Sequence, residues 1–138
     1  MKVELINLTF APAEGGGILK IMKKSSDHFQ GFGELYFSQI AYGVFRGWKT
    51  HKEMESFVFV LEGDVSFHFF DDFGECYSLN IRRALDSQEA LLIPAGVNFG
   101  FKSNTPDGSV VANFASTEHR LDEAIRPPLK THECGWEK

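Results

Sequence analysis

The sequence predicts an all-β fold, a sandwich or barrel of short antiparallel strands, and three observations carry that reading. Helical periodicity is scarce along the chain, whereas runs rich in Val, Ile, Phe and Tyr recur at short intervals. Gly, Pro, Asp and Asn punctuate those runs as turn residues do. Aromatic residues reach 14%, and phenylalanine alone supplies 14 positions, which suits the wide interior of a sandwich or barrel. A chain of 138 residues is expected to form one domain over 1–138, large enough to bury a core without staples.

Each element follows in order. VELINLTF (3–10) reads as a first strand, APAEGGG (11–17) as a flexible break, and GILKIMKK (17–24) as a second strand before the polar loop SSDHFQGFG. ELYFSQIA (34–41) and GVFRGWKTHK (43–52) read as the next two strands. ESFVFVLEG and DVSFHFF form a hairpin turning at Glu62, Gly63 and Asp64. DDFGE marks a turn before YSLNIRRAL, and EALLIPAG is a short buried strand ending at Pro94. GVNFGFKSN and SVVANFAS, joined through TPDG, complete the set. A short helical segment is expected in HRLDEAIR, stopped by Pro127 and Pro128.

The net charge of −5 argues against nucleic acid or an anionic membrane as partner. It leaves room for an anionic small molecule, because a few cations grouped in one pocket hold phosphate whatever the global charge. MKVELINLTF shows no apolar core behind a basic start, so no signal peptide is expected, and no run is long enough to span a bilayer. Cys76 and Cys134 fit no ligand or redox spacing and are read as reduced thiols of a cytoplasmic protein. Phosphate-binding glycine loops before a helix, a Gly-x-Ser-x-Gly elbow and a Cys/His dyad are all missing.

Titratable residues gather in RGWKTHKEMES, Arg46 to Ser56. On an extended strand Lys49, His51, Glu53 and Glu55 share a parity, so all four could face inward. Gly43 to Gly63 resembles the first cupin motif, with Gly43, His51, Glu55 and Gly63 in place and Lys49 where the motif has the first of two histidines. Pro94, Ala95 and Gly96 resemble the second motif, whose histidine position holds Phe99. "RG" before the first motif, IPAGVNFGF, and NFASTEHRLDEAIRPP resemble the dTDP-4-dehydrorhamnose 3,5-epimerases and the related dTDP-sugar ketoisomerases, from about Gly17 to Pro128.

The resemblance implies a cupin (jelly-roll-type) barrel. It also implies a metal-independent epimerase or ketoisomerase of a nucleotide-linked 4-keto-6-deoxy sugar, needing no cofactor, in surface polysaccharide synthesis. A homodimer is expected, since such barrels commonly bury an edge or exchange a strand. Lys49 falls on the epimerases' catalytic base, His51 on the second histidine of the ketoisomerases, and Tyr36 on an active-site tyrosine. The epimerases' late tyrosine falls near Glu118 and His119.

Moving a proton beside a ketone needs a base for the C–H and an acid or cation for the enolate oxygen. His51 suits the base, Lys49 the cation or an alternative base, and Tyr36 a proton donor. Glu55 could orient His51 or keep Lys49 charged. Arg46 offers planar bidentate donors to a diphosphate, Phe99 a ring beside the sugar or base, and His119 a further contact. The competing reading is a cupin that has lost its base and only binds a sugar or sugar nucleotide, or supports a partner enzyme. A cupin metal needs about four ligands, and only His51 and Glu55 remain at those positions, beside a cationic Lys49. Elemental analysis of the purified protein is therefore expected to find no stoichiometric iron, manganese, nickel or zinc.

Overall fold

The computed structural model describes residues 2–84 and 87–126. They form β1 (Glu4–Asn7), β2 (Thr9–Ala13), β3 (Gly16–Lys20), β4 (Glu34–Ile40), β5 (Phe45–His51) and β6 (Ser56–Glu62). β7 (Asp64–Phe70), β8 (Cys76–Arg82), β9 (Glu89–Ile93), β10 (Asn98–Ser103), β11 (Ser109–Ala115) and β12 (Ala124–Ile125) follow. A first five-stranded sheet has the order β1-β9-β6-β11-β4, a second the order β12-β5-β10-β7-β8, and β2 pairs with β3 alone. Every strand pair is antiparallel. The sheets keep separate edge strands, so the expected closed barrel is instead an open double-sheet sandwich.

The core lies between the two sheets and follows the period-two rule. Val58 and Val60 of β6, Val111 of β11, and Leu91 and Ile93 of β9 meet Phe67 and Phe69 of β7, Ile81 of β8 and Phe99 of β10. Each such side chain contributes about 1.5–3 kcal/mol on burial. The other face of the first sheet carries a second cluster of Ile6, Phe57, Phe59, Ala90 and Ala112, against which Leu8, Ile21 and Met22 pack. β6 is therefore buried at five successive positions, which is why its sequence reads as an unbroken apolar run.

Four expectations need correction. ESFVFVLEG and DVSFHFF do not pair as a hairpin: β6 lies between β9 and β11 in the first sheet and β7 between β10 and β8 in the second, so the turn at Gly63 carries the chain from one sheet to the other. The first expected strand splits at Leu8 into β1, which extends the first sheet beside β9, and β2, which pairs with β3. The flexible break thus shrinks to the turn at Glu14 and Gly15. HRLDEAIR forms no helix: Leu121–Glu123 is a turn and Ala124–Ile125 is β12, paired with Thr50 and His51. Long-range backbone and carboxylate bonds outweigh the weak preference of an eight-residue helix. Cys76 is disulfide-bonded, against the reading as a reduced thiol, while Cys134 lies outside the described residues. No described helix is long and apolar enough to cross a membrane.

The feature that shapes the interior is the pairing of β5 with β10. Phe99 opposes Lys49, yet Phe101 opposes Arg46, so β5 carries one extra residue across that interval. Gly47 sits there with φ +154, and a Cβ on it would lie 2.7 Å from the Cα of Gly100. A Cβ on Gly100 would lie 2.4 Å from Cζ of Phe45 and 2.9 Å from the backbone oxygen of Arg46. The two glycines let the strands approach where side chains would hold them apart. Gly100→Ala should therefore destabilise the fold by about 1–3 kcal/mol, read as a lower urea midpoint with an unchanged slope.

Candidate functional site

A cavity of about 410 Å³ opens between the sheets. β4 lines it with Glu34, Tyr36 and Ser38, and β11 with Val111 and Asn113. β5 contributes Arg46 and Lys49, β10 contributes Phe99 and Phe101, and the segment after β11 contributes His119 and Arg126. Strict alternation would put Arg46 and Lys49, three positions apart, on opposite faces. The extra residue in β5 brings both to the same cavity.

Five of the residues singled out from the sequence meet here: Tyr36, Arg46, Lys49, Phe99 and His119. Arg46 bridges the sheets at the rim, its Nη1 donating to the carbonyl oxygen of Gln39 at 3.0 Å. Tyr36 stands opposite Asn113 in the β4–β11 register, and its hydroxyl oxygen accepts from Nδ2 of Asn113 at 2.9 Å. Burial, with the Glu34 carboxylate nearby, pushes the Tyr36 phenol up, so it is protonated at neutral pH. Lys49 is pulled the other way: burial lowers it, Arg126 and Arg46 lower it further, and Glu123 and Glu34 only partly oppose them. Its amine makes no hydrogen bond or ion pair with any described residue.

His51 and Glu55 stand elsewhere. His51, one side-chain repeat beyond Lys49 on β5, is buried and does not line the cavity, although its ring lies 6.1 Å from that of Phe99. Glu55 does not orient it. β5 ends at His51, so the shared parity stops there; Glu55 lies beyond the strand, where burial and the Glu4 carboxylate push it up. Glu53, the fourth residue of that parity, is exposed and pairs with Arg120 at 3.1 Å, a surface contact of little energetic weight. His68, out of step with the inward Phe67 and Phe69, is on the outer face of β7 and is covered by Phe45, with ring centroids 5.9 Å apart.

The partner of His51 is Glu123, which sequence reasoning missed. His51 Nδ1 lies 2.5 Å from Glu123 Oε2, with both side chains buried, and the amides of Glu53 and Met54 each donate to Oε1 at 2.8 Å. Burial pushes the Glu123 carboxyl up, but the Glu53 amide, the His51 ring and the Met54 amide outweigh it and hold it at about 2. Burial lowers His51, more than Glu123 raises it. The ring is thus neutral, with its proton on Nδ1 facing the carboxylate. This tether fixes the segment that carries His119 and Arg126, while the His119 amide donates to Glu34 Oε1 at 3.1 Å on β4. Arg126, Asn113 and Glu34 were also missed, since their only sequence signal is proximity to residues remote in the chain. Among the described residues no group of three or more His, Cys, Asp or Glu could hold a metal ion.

Two facing antiparallel sheets around a cavity holding several cationic groups make a cupin-type fold with a pocket suited to an anionic ligand. A dTDP-sugar isomerase from Desulfovibrio desulfuricans G20 superposes with a TM-score of 0.84 and 30% identity, over 94% of this chain and 85% of that one. The chain accordingly belongs to the dTDP-sugar isomerase and epimerase family. The sugar 3,4-ketoisomerase QdtA from Thermoanaerobacterium thermosaccharolyticum, in complex with TDP, shares the fold at 21% identity and a TM-score of 0.78, over 91% and 88% of the two chains. A dTDP-4-dehydrorhamnose 3,5-epimerase from Sulfolobus tokodaii does so at 21% and 0.79, over 92% and 77%. No protein-family model and no curated protein matches the sequence.

The tether sets a pH dependence. Glu123 has a lower pKa folded than its usual 4.5, so the stability it contributes is complete above that pH and is lost as pH falls toward about 2. His51 is held below its usual 6.5 by burial, so protonation of the unfolded chain begins to erode stability below that pH. Glu123→Ala should cost about 3–5 kcal/mol by stranding His51 and two amides, and Glu123→Gln less. Urea unfolding from about pH 8 to about pH 3 should show the wild-type losing stability once the pH falls below about 6.5, and Glu123→Gln flattening in the lower half.

Proposed function

We propose that the protein isomerises or epimerises a nucleotide-linked 4-keto-6-deoxy sugar, with dTDP as the favoured nucleotide. The reaction is proton transfer beside the carbonyl without a metal, in the synthesis of surface polysaccharide. The observation that carries this reading is one cavity in which an amine without an ion-pair partner among the described residues, a protonated phenol and two guanidinium groups converge. Arg46 and Arg126 suit the diphosphate through bidentate donors. His119 adds a polar contact, and Phe99 and Phe101 offer ring faces to the sugar or base.

Lys49 and Tyr36 are the two groups placed to meet the carbonyl and its neighbouring C–H. His51 acts through Glu123 as a positioning residue, holding the segment that presents His119 and Arg126. The assembly belonging to this proposal is a homodimer, supported by Leu35 and Phe37, which stand exposed on the outer face of edge strand β4. The location is cytoplasmic, although the Cys76 disulfide removes one support for that. The second reading, a cupin that binds a sugar nucleotide without turning it over, draws on His51 lying off the cavity wall and on Phe99 filling a histidine position.

Deuterium wash-in followed by NMR separates the two. In D2O, with a panel of dTDP-, UDP- and GDP-linked 4-keto-6-deoxy sugars, one sugar should gain deuterium at a carbon beside the carbonyl. Lys49→Ala should slow that exchange by at least about 100-fold, and His51→Ala by less. Saturable binding with no exchange for any sugar sinks the enzymatic reading in favour of the binding module.

A further inference from the structure

Lys49 is an unusual residue to find at the centre of this cavity. Its amine lines the space between the sheets without a carboxylate partner among the described residues, and Arg46 and Arg126 line the same space. A lysine kept for charge alone is normally paired, because an isolated buried ammonium is costly. Partial burial and the cationic neighbours raise the fraction of neutral amine, with Glu123 and Glu34 opposing them in part, and a neutral amine facing a cavity is a nucleophile toward carbonyls. Across the sheets, Tyr36 presents a protonated phenol whose oxygen already accepts from Asn113. With that lone pair occupied, its O–H proton is directed away from Asn113 and is available to a ligand.

We infer that Lys49 acts as a covalent catalyst, its amine condensing with the ketone of the bound sugar to form an imine. The inference rests on the keto-sugar reading above. The Nζ lone pair forms a C–N bond as the carbonyl π pair moves to oxygen, and a proton passes from nitrogen to that oxygen to give the carbinolamine. Tyr36 gives its proton to the hydroxyl, which leaves as water, so the C–O bond breaks and a protonated imine and a phenolate remain. The phenolate removes the proton from the neighbouring carbon, and the C–H pair becomes the C=C bond of an enamine. Return of a proton to carbon and addition of water regenerate ketone, amine and phenol, with no oxidant or reductant consumed. The roles of base and electron sink, which a histidine base and an oxyanion donor would share, here fall to Tyr36 and Lys49.

The test is reductive trapping. The wild-type protein and Lys49→Arg, which keeps the charge but not the nucleophile, are incubated with the keto sugar nucleotide that shows deuterium exchange. Sodium cyanoborohydride is added at neutral pH, followed by peptide mapping by mass spectrometry. Lys49→Met serves as a second variant should arginine perturb the fold, and each variant's thermal unfolding is compared with the wild-type. The expected result is a stable adduct on Lys49 with the mass of the sugar nucleotide less water plus two hydrogens, absent with the corresponding alcohol sugar. In H2(18)O the ketone oxygen should exchange at least about 100-fold faster than in the Lys49→Arg reaction. Deuterium exchange at carbon without adduct and without oxygen exchange overturns the imine while leaving the isomerase reading intact. An adduct on a different lysine overturns it too. If no sugar of the panel exchanges deuterium and none forms an adduct, both the isomerase reading and the imine fall together.

Discussion

The irregular pairing of β5 with β10 is the constraint on which the site depends. A β-strand shows alternate side chains to its two faces, so Arg46 and Lys49 belong on opposite sides of a regular strand. The extra residue between them, accommodated where Gly47 approaches Gly100, turns both toward the interior. It also leaves Trp48 on the other face, packed edge-on against Phe45 and Phe70. One local departure from the ladder thereby delivers the Arg46 guanidinium and the Lys49 amine to one cavity, while the large indole anchors the strand from behind.

The cavity is an electrostatic compromise. Arg46, Lys49 and Arg126 line a space in a protein of net charge −5, and of the carboxylates only Glu34 lines it with them. Grouping cations in this way costs free energy in the empty protein, which a bound diphosphate recovers. Burial first, and then the same cations, lower the pKa of Lys49.

Beneath the cavity, His51 and Glu123 solve a different problem. The segment after β11 makes only the two-residue strand β12, too little backbone pairing to fix it. A buried carboxylate that accepts from an imidazole and two amides supplies the missing restraint. The histidine that resembles a catalytic base is thus tied to this segment, and its buried ring does not line the cavity.

The sequence by itself determined the strand content, the turn at Gly63, the inward-facing Val and Phe positions and the cupin-type fold, because alternation and turn chemistry are local. It also singled out Tyr36, Arg46, Lys49, Phe99 and His119, all of which line the one cavity, through motifs whose spacing is read along the chain. Only the tertiary structure decided that Arg46 and Lys49 share a face, since a bulge is a property of two strands and not of one. It alone paired His51 with Glu123, 72 residues away, and turned HRLDEAIR into an edge of the second sheet. Parity extended Lys49 and His51 onward to Glu55, but a strand ends where its partners end, and β5 stops at His51. What is local in cause was legible; what depends on which remote group fills a buried hydrogen bond was not.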